Sequence, residues 1–455
     1  MNPTCFAVRA VFASMTLLSM AAGAQAGEDG FTPLFNGKDL DGWINVNCRK
    51  DTWAVRDGMI ATTGKPIGFL RSARQYENFV MELEWRHMPP KPDAVGNSGI
   101  FIWADPTPAL GQGYFTRGIE VQVLVNLEWR DKKTGGVTAS SHGDIFSIWG
   151  AKCTPDRPHP AGWERCIPSE NRAKGAGEWN HYRIEANDGR ITLAVNGKVV
   201  SGVSKCNPRK GYIALESEGS ECHFRNIRIK ELPSTNPKPD EVARSGDGWV
   251  PLYANTDLDA WNMEEGHKGH WQPADWVLKY DGRSEAKDKD LWTKKEYGDF
   301  TLLCDWRLPG KPKKMKRPVI LSTGEYATDD AGKQKEVEID DAGDSGIYLR
   351  GSSKSQINIW CWPVGSGEVY GYRTDTNQPA EVRAGVTPKV KADKPLGQWN
   401  RFEITMKGDR LTVILNGQTV IENAQLPGVP KTGKLALQHH GDPVEFANVY
   451  IKELD

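Results

Sequence analysis

FVMELEWR at residues 79–86 and FTLLCDWR at 300–307 are two versions of one strand. Phe79, Met81, Leu83 and Trp85 fall on one side of an extended chain, and Glu82, Glu84 and Arg86 on the other. Phe300, Leu302, Cys304 and Trp306 repeat the apolar side. A period of two marks a strand with one face in a core. Working outward, the neighbouring sequence repeats as well. PLFNGKDLDGW (33–43) returns as PLYANTDLDAW (251–261), EWNHYRIEA (178–186) as QWNRFEITM (398–406), ITLAVNGKVV (191–200) as LTVILNGQTV (411–420), and HFRNIRIKEL (223–232) as EFANVYIKEL (445–454). These pairs are offset by 218 to 222 residues, whereas VGNSGIFI (95–102) returns as AGDSGIYL (342–349) at 247, and Gln122 is matched to Gln356 at 234. The expected organisation is one domain present twice, its second version having gained a segment near 310–340 and lost a similar length before Trp399.

Asn196-Gly197 and Asn416-Gly417 each stand between two alternating apolar runs, the signature of a type I′ hairpin. With 47 glycines, 28 prolines and few runs at helical spacing, the chain reads as all-β, each copy a two-sheet jelly-roll sandwich. Residues 233–248, PSTNPKPDEVARSGDG, are polar, proline-rich and aperiodic, and are expected to be a linker between domains at 27–232 and 249–455.

With 58 basic and 59 acidic side chains, no charge excess points to nucleic acid. Residues 1–26 combine Arg9, a short apolar stretch and Ala24-Gln25-Ala26, which predicts a secretory signal cleaved after Ala26, no membrane anchor, and a periplasmic or secreted protein. In an oxidising compartment the remaining cysteines favour disulfides over zinc, Cys153–Cys166 and Cys206–Cys222 being the pairs expected from loop closure, with one thiol left over.

The chemistry-bearing residues gather around the repeated turn. In GIEVQVLVN (118–126), Glu120 and Gln122 share a face; in SQINIWCW (355–362), Gln356, Asn358 and Trp360 do. HGDIFS (142–147) and SGEVYG (366–371) place Asp144 opposite Glu368, with His142 two residues before Asp144. Such faces would line a groove. Asn97 and Asp344 suit either the turn itself or a ligand, and Glu120 suits either a site or a pair with Arg117. Trp53, Trp103 and Trp149 read as core more readily than as sugar platforms. His439-His440 with Asp442 is a weaker metal candidate, because adjacent strand residues face opposite ways. The charged stretches at 285–290 and 328–341 read as solvated loops.

Taken in order, LFNG-x-DL-x-GW, G-N-SGI, EVQ, G-x-[IV]-[FY], EWN-x-Y-x-I, NG and FRNI-x-IK-x-L resemble the 3-keto-disaccharide hydrolase domain, over residues 31–232 and again over 249–455. The resemblance implies a concanavalin-like jelly roll, related in fold to laminarinase-type glucanases and also to lectins, acting on carbohydrate already oxidised at C3. A C3 ketone acidifies the C2 proton, so a base, an acid for the departing C1 oxygen and donors or a divalent metal for the enolate oxygen would give elimination followed by hydration. Under that reading Glu120 is the base, Asp144 or His142 the acid, and Asn97, Gln122 and Arg117 the polar contacts. No metal ligand set is assigned and no cofactor is certain. The family often has an acid where Val125 stands. In the second copy Lys354 is aligned with Glu120, and the contacts are Asp344, Arg350, Gln356, Asn358, Trp360, Glu368, Tyr370 and Arg373. The competing reading is a non-catalytic, lectin-like carbohydrate-binding protein. A conventional retaining glycosidase is disfavoured, since the E-x-D-x-x-E strand of laminarinase-type enzymes is absent.

Overall fold

The computed structural model describes residues 29–111, 115–140, 143–244, 248–253, 257–274 and 276–455. The expected signal segment and His142 lie outside the described residues. Strands dominate, as the alternating pattern requires. In the first half a nine-stranded back sheet packs on a seven-stranded front sheet; in the second half an eight-stranded back sheet packs on a four-stranded front sheet. All the ladders are antiparallel. The chain is therefore all-β, two sandwiches in series.

Phe79–His87 runs through the first back sheet between Asn180–Asn187 and Cys222–Glu231, and Phe300–Arg307 holds the same place in the second. Their alternate apolar side chains enter two separate cores. Asn196 and Gly197 have φ of 47° and 88°, and Asn416 and Gly417 of 53° and 81°, the left-handed pair that a type I′ turn needs.

A third apolar cluster joins the halves. Val46, Phe69, Phe101, Tyr212 and Ala214, from the outer side of the first front sheet, pack with Leu303 and Tyr450, from the outer side of the second back sheet. Buried polar groups flank it: Asn47 Nδ2 donates to Asn448 Oδ1 at 3.1 Å, the Tyr450 hydroxyl to Asn47 Oδ1 at 2.9 Å, and Arg401, paired with Asp305 at 2.5 Å, to the Pro108 carbonyl at 2.9 Å. The second sandwich thus roofs part of the first front sheet.

Three sequence expectations change. All seven described cysteines are free, buried thiols. Cys206 and Cys222 sit in the back sheet with three strands between them, about 19 Å apart at the usual strand spacing, far beyond disulfide reach. The stretch 328–341 is not all loop, because Glu336–Asp341 pairs with Lys313–Pro318 as an exposed hairpin inside the inserted segment. Residues 233–244 do not run free either. Thr235 N donates to Glu77, Ala243 N to the Lys210 carbonyl and Arg244 N to Asp105, which straps the connection onto the first sandwich.

Candidate active site

Three neighbouring strands of the first front sheet, Gly96–Ala104, Gly118–Val125 and Tyr212–Ser217, build the site. Their registers pair Gly99 with Gln122, Phe101 with Glu120, and Phe101 with Ala214. Since Ile100, Val121 and Leu215 face the core, Asn97, Glu120, Gln122 and Glu216 face the other way, as does Glu218 just past its strand. Gly99 makes this possible. A Cβ there would stand 2.6 Å from Glu120 Oε1 and 3.0 Å from Glu216 Oε2, so both carboxyls rest on the bare backbone.

A directional chain of hydrogen bonds crosses this face. Arg165 pairs through Nε with Asp144 at 2.6 Å and donates from Nη2 to Gln122 Oε1 at 3.2 Å. A guanidinium can only donate, so the Gln122 oxygen is fixed toward it and Gln122 Nε2 points to Asn97 Oδ1 at 2.9 Å. Asn97 Nδ2 is then left to donate to Glu218 at 2.5 Å. The chain delivers a donor to Glu218, favouring its ionised form. Neither oxygen of Glu216 receives a hydrogen bond; what lies beside it is more acid.

Burial and mutual repulsion explain the electrostatics. Burial first, and then the Glu218 charge, raise the Glu120 carboxyl well above the ordinary range, with Arg165 opposing. Burial, Glu218 and Glu120 do the same to Glu216. Glu218 is raised by burial, less strongly than the other two, with the neighbouring Glu216 carboxyl partly opposing the shift. Three carboxyls on one face therefore hold protons and charge unequally, the arrangement acid–base chemistry uses.

The structure brings Asn97, Glu120, Gln122 and Asp144 together but reassigns one of them. Asp144 is fully buried and accepts from Ser140 N, Ser140 Oγ and Arg165; these bonds commit it to positioning Arg165 rather than to giving up a proton. Arg117 is not in the groove. It contacts Asn207 and Asp105 in a crevice beside Arg244 and Glu403 of the second sandwich. Glu216, Glu218 and Arg165 were missed. The alternation in YIALESEG, with Ile213 and Leu215 on one side and Glu216 and Glu218 on the other, was the available signal. Trp53 and Trp103 are core residues, whereas Trp149 is 44% exposed.

In the second sandwich the alignment itself needs correction. Gly346 pairs with Asn358 and Tyr348 with Gln356, as Gly99 pairs with Gln122 and Phe101 with Glu120. Ser345 Oγ donates to the Gln438 carbonyl as Ser98 Oγ does to that of Glu216. Glu120 therefore corresponds to Gln356, Gln122 to Asn358, Glu216 to Gln438 and Glu218 to His440. Lys354 is off by one pleat pair and bonds Asp375. Glu368 and Arg373 form a buried ion pair matching Asp144–Arg165. Arg350 is likewise structural, donating to the Gly298, Gly408 and Pro430 carbonyls and to Asp299. Trp360 donates to the Gly365 carbonyl and stacks on Trp362, while Tyr370 is exposed on the short helix Tyr370–Arg373. Asp344 is pushed up to about 6, mainly by burial, and its backbone N–H bonds Asp442. His439 bonds Tyr280 and His440 lies 3.8 Å from Asp442. Among the described residues no group of three His, Cys, Asp or Glu is arranged to hold a metal ion.

The family model of the 3-keto-alpha-glucoside-1,2-lyase-like domain matches this sequence twice, at residues 30–230 and 248–452. A 3-keto-disaccharide hydrolase of Bacteroides thetaiotaomicron is 24% identical over 252 residues, covering 45% of this chain and 79% of the relative. A provisionally assigned glycosyl hydrolase of Parabacteroides distasonis, solved by crystallography, is 21% identical over 45% of this chain and 95% of its own, with a TM-score of 0.31. A carbohydrate binding module from Bacillus subtilis is 12% identical over 42% of this chain and 96% of its own, with a TM-score of 0.30.

Proposed function

The chain belongs to the 3-keto-alpha-glucoside-1,2-lyase-like domain family, and from that premise we propose that its first sandwich cleaves a glycoside whose C3 hydroxyl has been oxidised to a ketone. The observation that carries this is the unequal carboxyl trio on the first front sheet: Glu218 takes the Asn97 hydrogen bond, while Glu120 and Glu216 are held protonated by burial and repulsion. In this scheme the ionised Glu218 removes the C2 proton and the electron pair spreads toward the C3 oxygen. The C1–O bond then breaks as a carboxyl proton from the Glu120–Glu216 pair passes to the leaving oxygen. Water adds back, hydroxyl to C1 and proton to C2, and the net change is hydrolysis. Glu120, the base suggested by the sequence, becomes a proton holder, since full burial beside two other acids disfavours its charge. The protein would work in the periplasm or outside the cell.

The test is cleavage of a 3-keto glucoside in heavy water. Deuterium at C2 of the product, with the unoxidised glucoside left intact, is expected. Cleavage without label would overturn the eliminative route, and binding without any cleavage would favour the lectin-like reading.

A further inference from the structure

The second front sheet keeps the shape of the candidate active site but puts amides, Gln356 and Gln438, where Glu120 and Glu216 stand, and His440 where Glu218 stands. Across its strands, Trp292, Ala436, Tyr348 and Gln356 form one cross-strand row, and Gln438, Gly346 and Asn358 belong to the next. Gln356 rests on Gly346, where a Cβ would stand 2.5 Å from its Nε2, as Glu120 rests on Gly99. Gln356 Nε2 donates to Gln438 Oε1 at 2.8 Å, and Gln438 Nε2 to Gln356 Oε1 at 3.4 Å. That reciprocal pair uses one N–H and one lone pair of each amide. A second N–H and a second lone pair remain on Gln356 for a ligand, and a second lone pair on Gln438, whose other N–H faces the Tyr348 hydroxyl. Beside the amides, Trp292 and Tyr348 stand 5.7 Å apart at 39°. The Trp292 indole N–H is buried without a partner. A cavity of about 490 Å³ opens on the far side of Trp292, toward Asp290, Lys434 and Glu296, and is lined by neither amide nor Tyr348, so a sugar on the amides would lie at its rim.

We propose that the Gln356–Gln438 amide pair and the Trp292–Tyr348 wall form a second, non-catalytic site for a neutral, unoxidised sugar. Paired amides donate and accept at once, which suits the vicinal hydroxyls of a pyranose, and an aromatic wall suits its C–H face. Where the first sandwich holds acids able to move protons, these amides cannot. The inference rests on the carbohydrate reading of the family and is independent of keto-glycoside cleavage.

The experiment is calorimetric titration of the full-length chain with maltose, trehalose and cellobiose. Wild type and the Glu218→Gln variant are expected to bind at least one of them equally. Trp292→Ala and Gln438→Leu, both checked for an unchanged melting curve, are expected to weaken that binding about tenfold or more, the scale of one lost hydrogen bond or stacking contact. Binding of none of the three sugars, binding lost in Glu218→Gln, or binding indifferent to both Trp292→Ala and Gln438→Leu would each overturn the proposal. Cleavage of a 3-keto glucoside that survives Glu218→Gln but not Gln438→Leu would overturn it too, by making this the reacting site. A wild type that cleaves nothing yet binds through Trp292 would instead refute the keto-glycoside reaction and leave this site standing.

Discussion

At the scale of single residues, the three carboxyls divide by what reaches them. Glu218 has a donor from Asn97, and Glu216 has only other acids beside it. Glu218→Gln is expected to abolish C2 exchange, and Glu120→Gln to lower turnover about a hundredfold, both read by product analysis on a keto-glucoside. A Glu120→Gln enzyme at full rate would exclude Glu120 from the chemistry. The same carboxyls set a pH dependence. Glu120 and Glu216 bind protons more tightly in the fold than in the unfolded chain, so the stability they contribute is complete below the unfolded value of about 4.3 and is lost as pH rises through their raised folded values. Glu216→Gln is therefore expected to melt at a progressively higher temperature than wild type as pH rises from 4 to 8. A constant difference across that range would contradict the assignment. Of these residues, Glu120, Gln122 and Asn97 were legible from the period of two and the repeated turn. Glu216 and Glu218 were not picked out, because only sheet order sets Tyr212–Ser217 beside Gly96–Ala104.

At the scale of strands, register decides which residues meet. The sequence offset matched Gln122 with Gln356, but hydrogen-bonded pairing matches Glu120 with Gln356, since Gly99 faces Gln122 and Gly346 faces Asn358. A two-residue error keeps every side chain on its correct face and so leaves no trace in the hydrophobic pattern. Register also places Gly99 beneath two carboxyls. Gly99→Ala is expected to displace Glu120 and Glu216 and cut turnover roughly tenfold or more with the circular dichroism spectrum unchanged, the scale of a lost acid–base contribution; an unaffected rate would mean the carboxyls do not need that seat. Beneath the site, Arg165→Met would leave Asp144 buried, charged and unpaired, at a cost of about 3–5 kcal/mol in a denaturant titration. A loss under about 1 kcal/mol, the value of an exposed pair, would show that water reaches Asp144.

At the scale of the whole molecule, the second sandwich covers the outer side of the first front sheet, and Phe101 links that contact to the site because it lies directly opposite Glu120. With Phe101 buried under this roof, the side of the sheet next to Glu120 is closed to solvent. Val46→Asp, which places a charge in the shared apolar cluster, is expected to enlarge the molecule in small-angle scattering and to move the acid–base limbs of its pH–rate profile downward, as the carboxyls regain solvent. A loosened molecule with an unmoved profile would show that the first sandwich desolvates its own site. The sequence by itself determined the all-β class, the two sandwiches and the strand faces, because each of these is written locally, in a period of two, in Asn-Gly turns and in repeated motifs. Only the tertiary structure decided that Glu216 and Glu218 join Glu120, that Asp144 is spent on Arg165, and that the second sandwich carries two amides and a histidine where the first carries three acids. Those facts depend on which strands lie side by side and on what covers them, and neither sheet order nor burial between distant segments is encoded in any one stretch of chain.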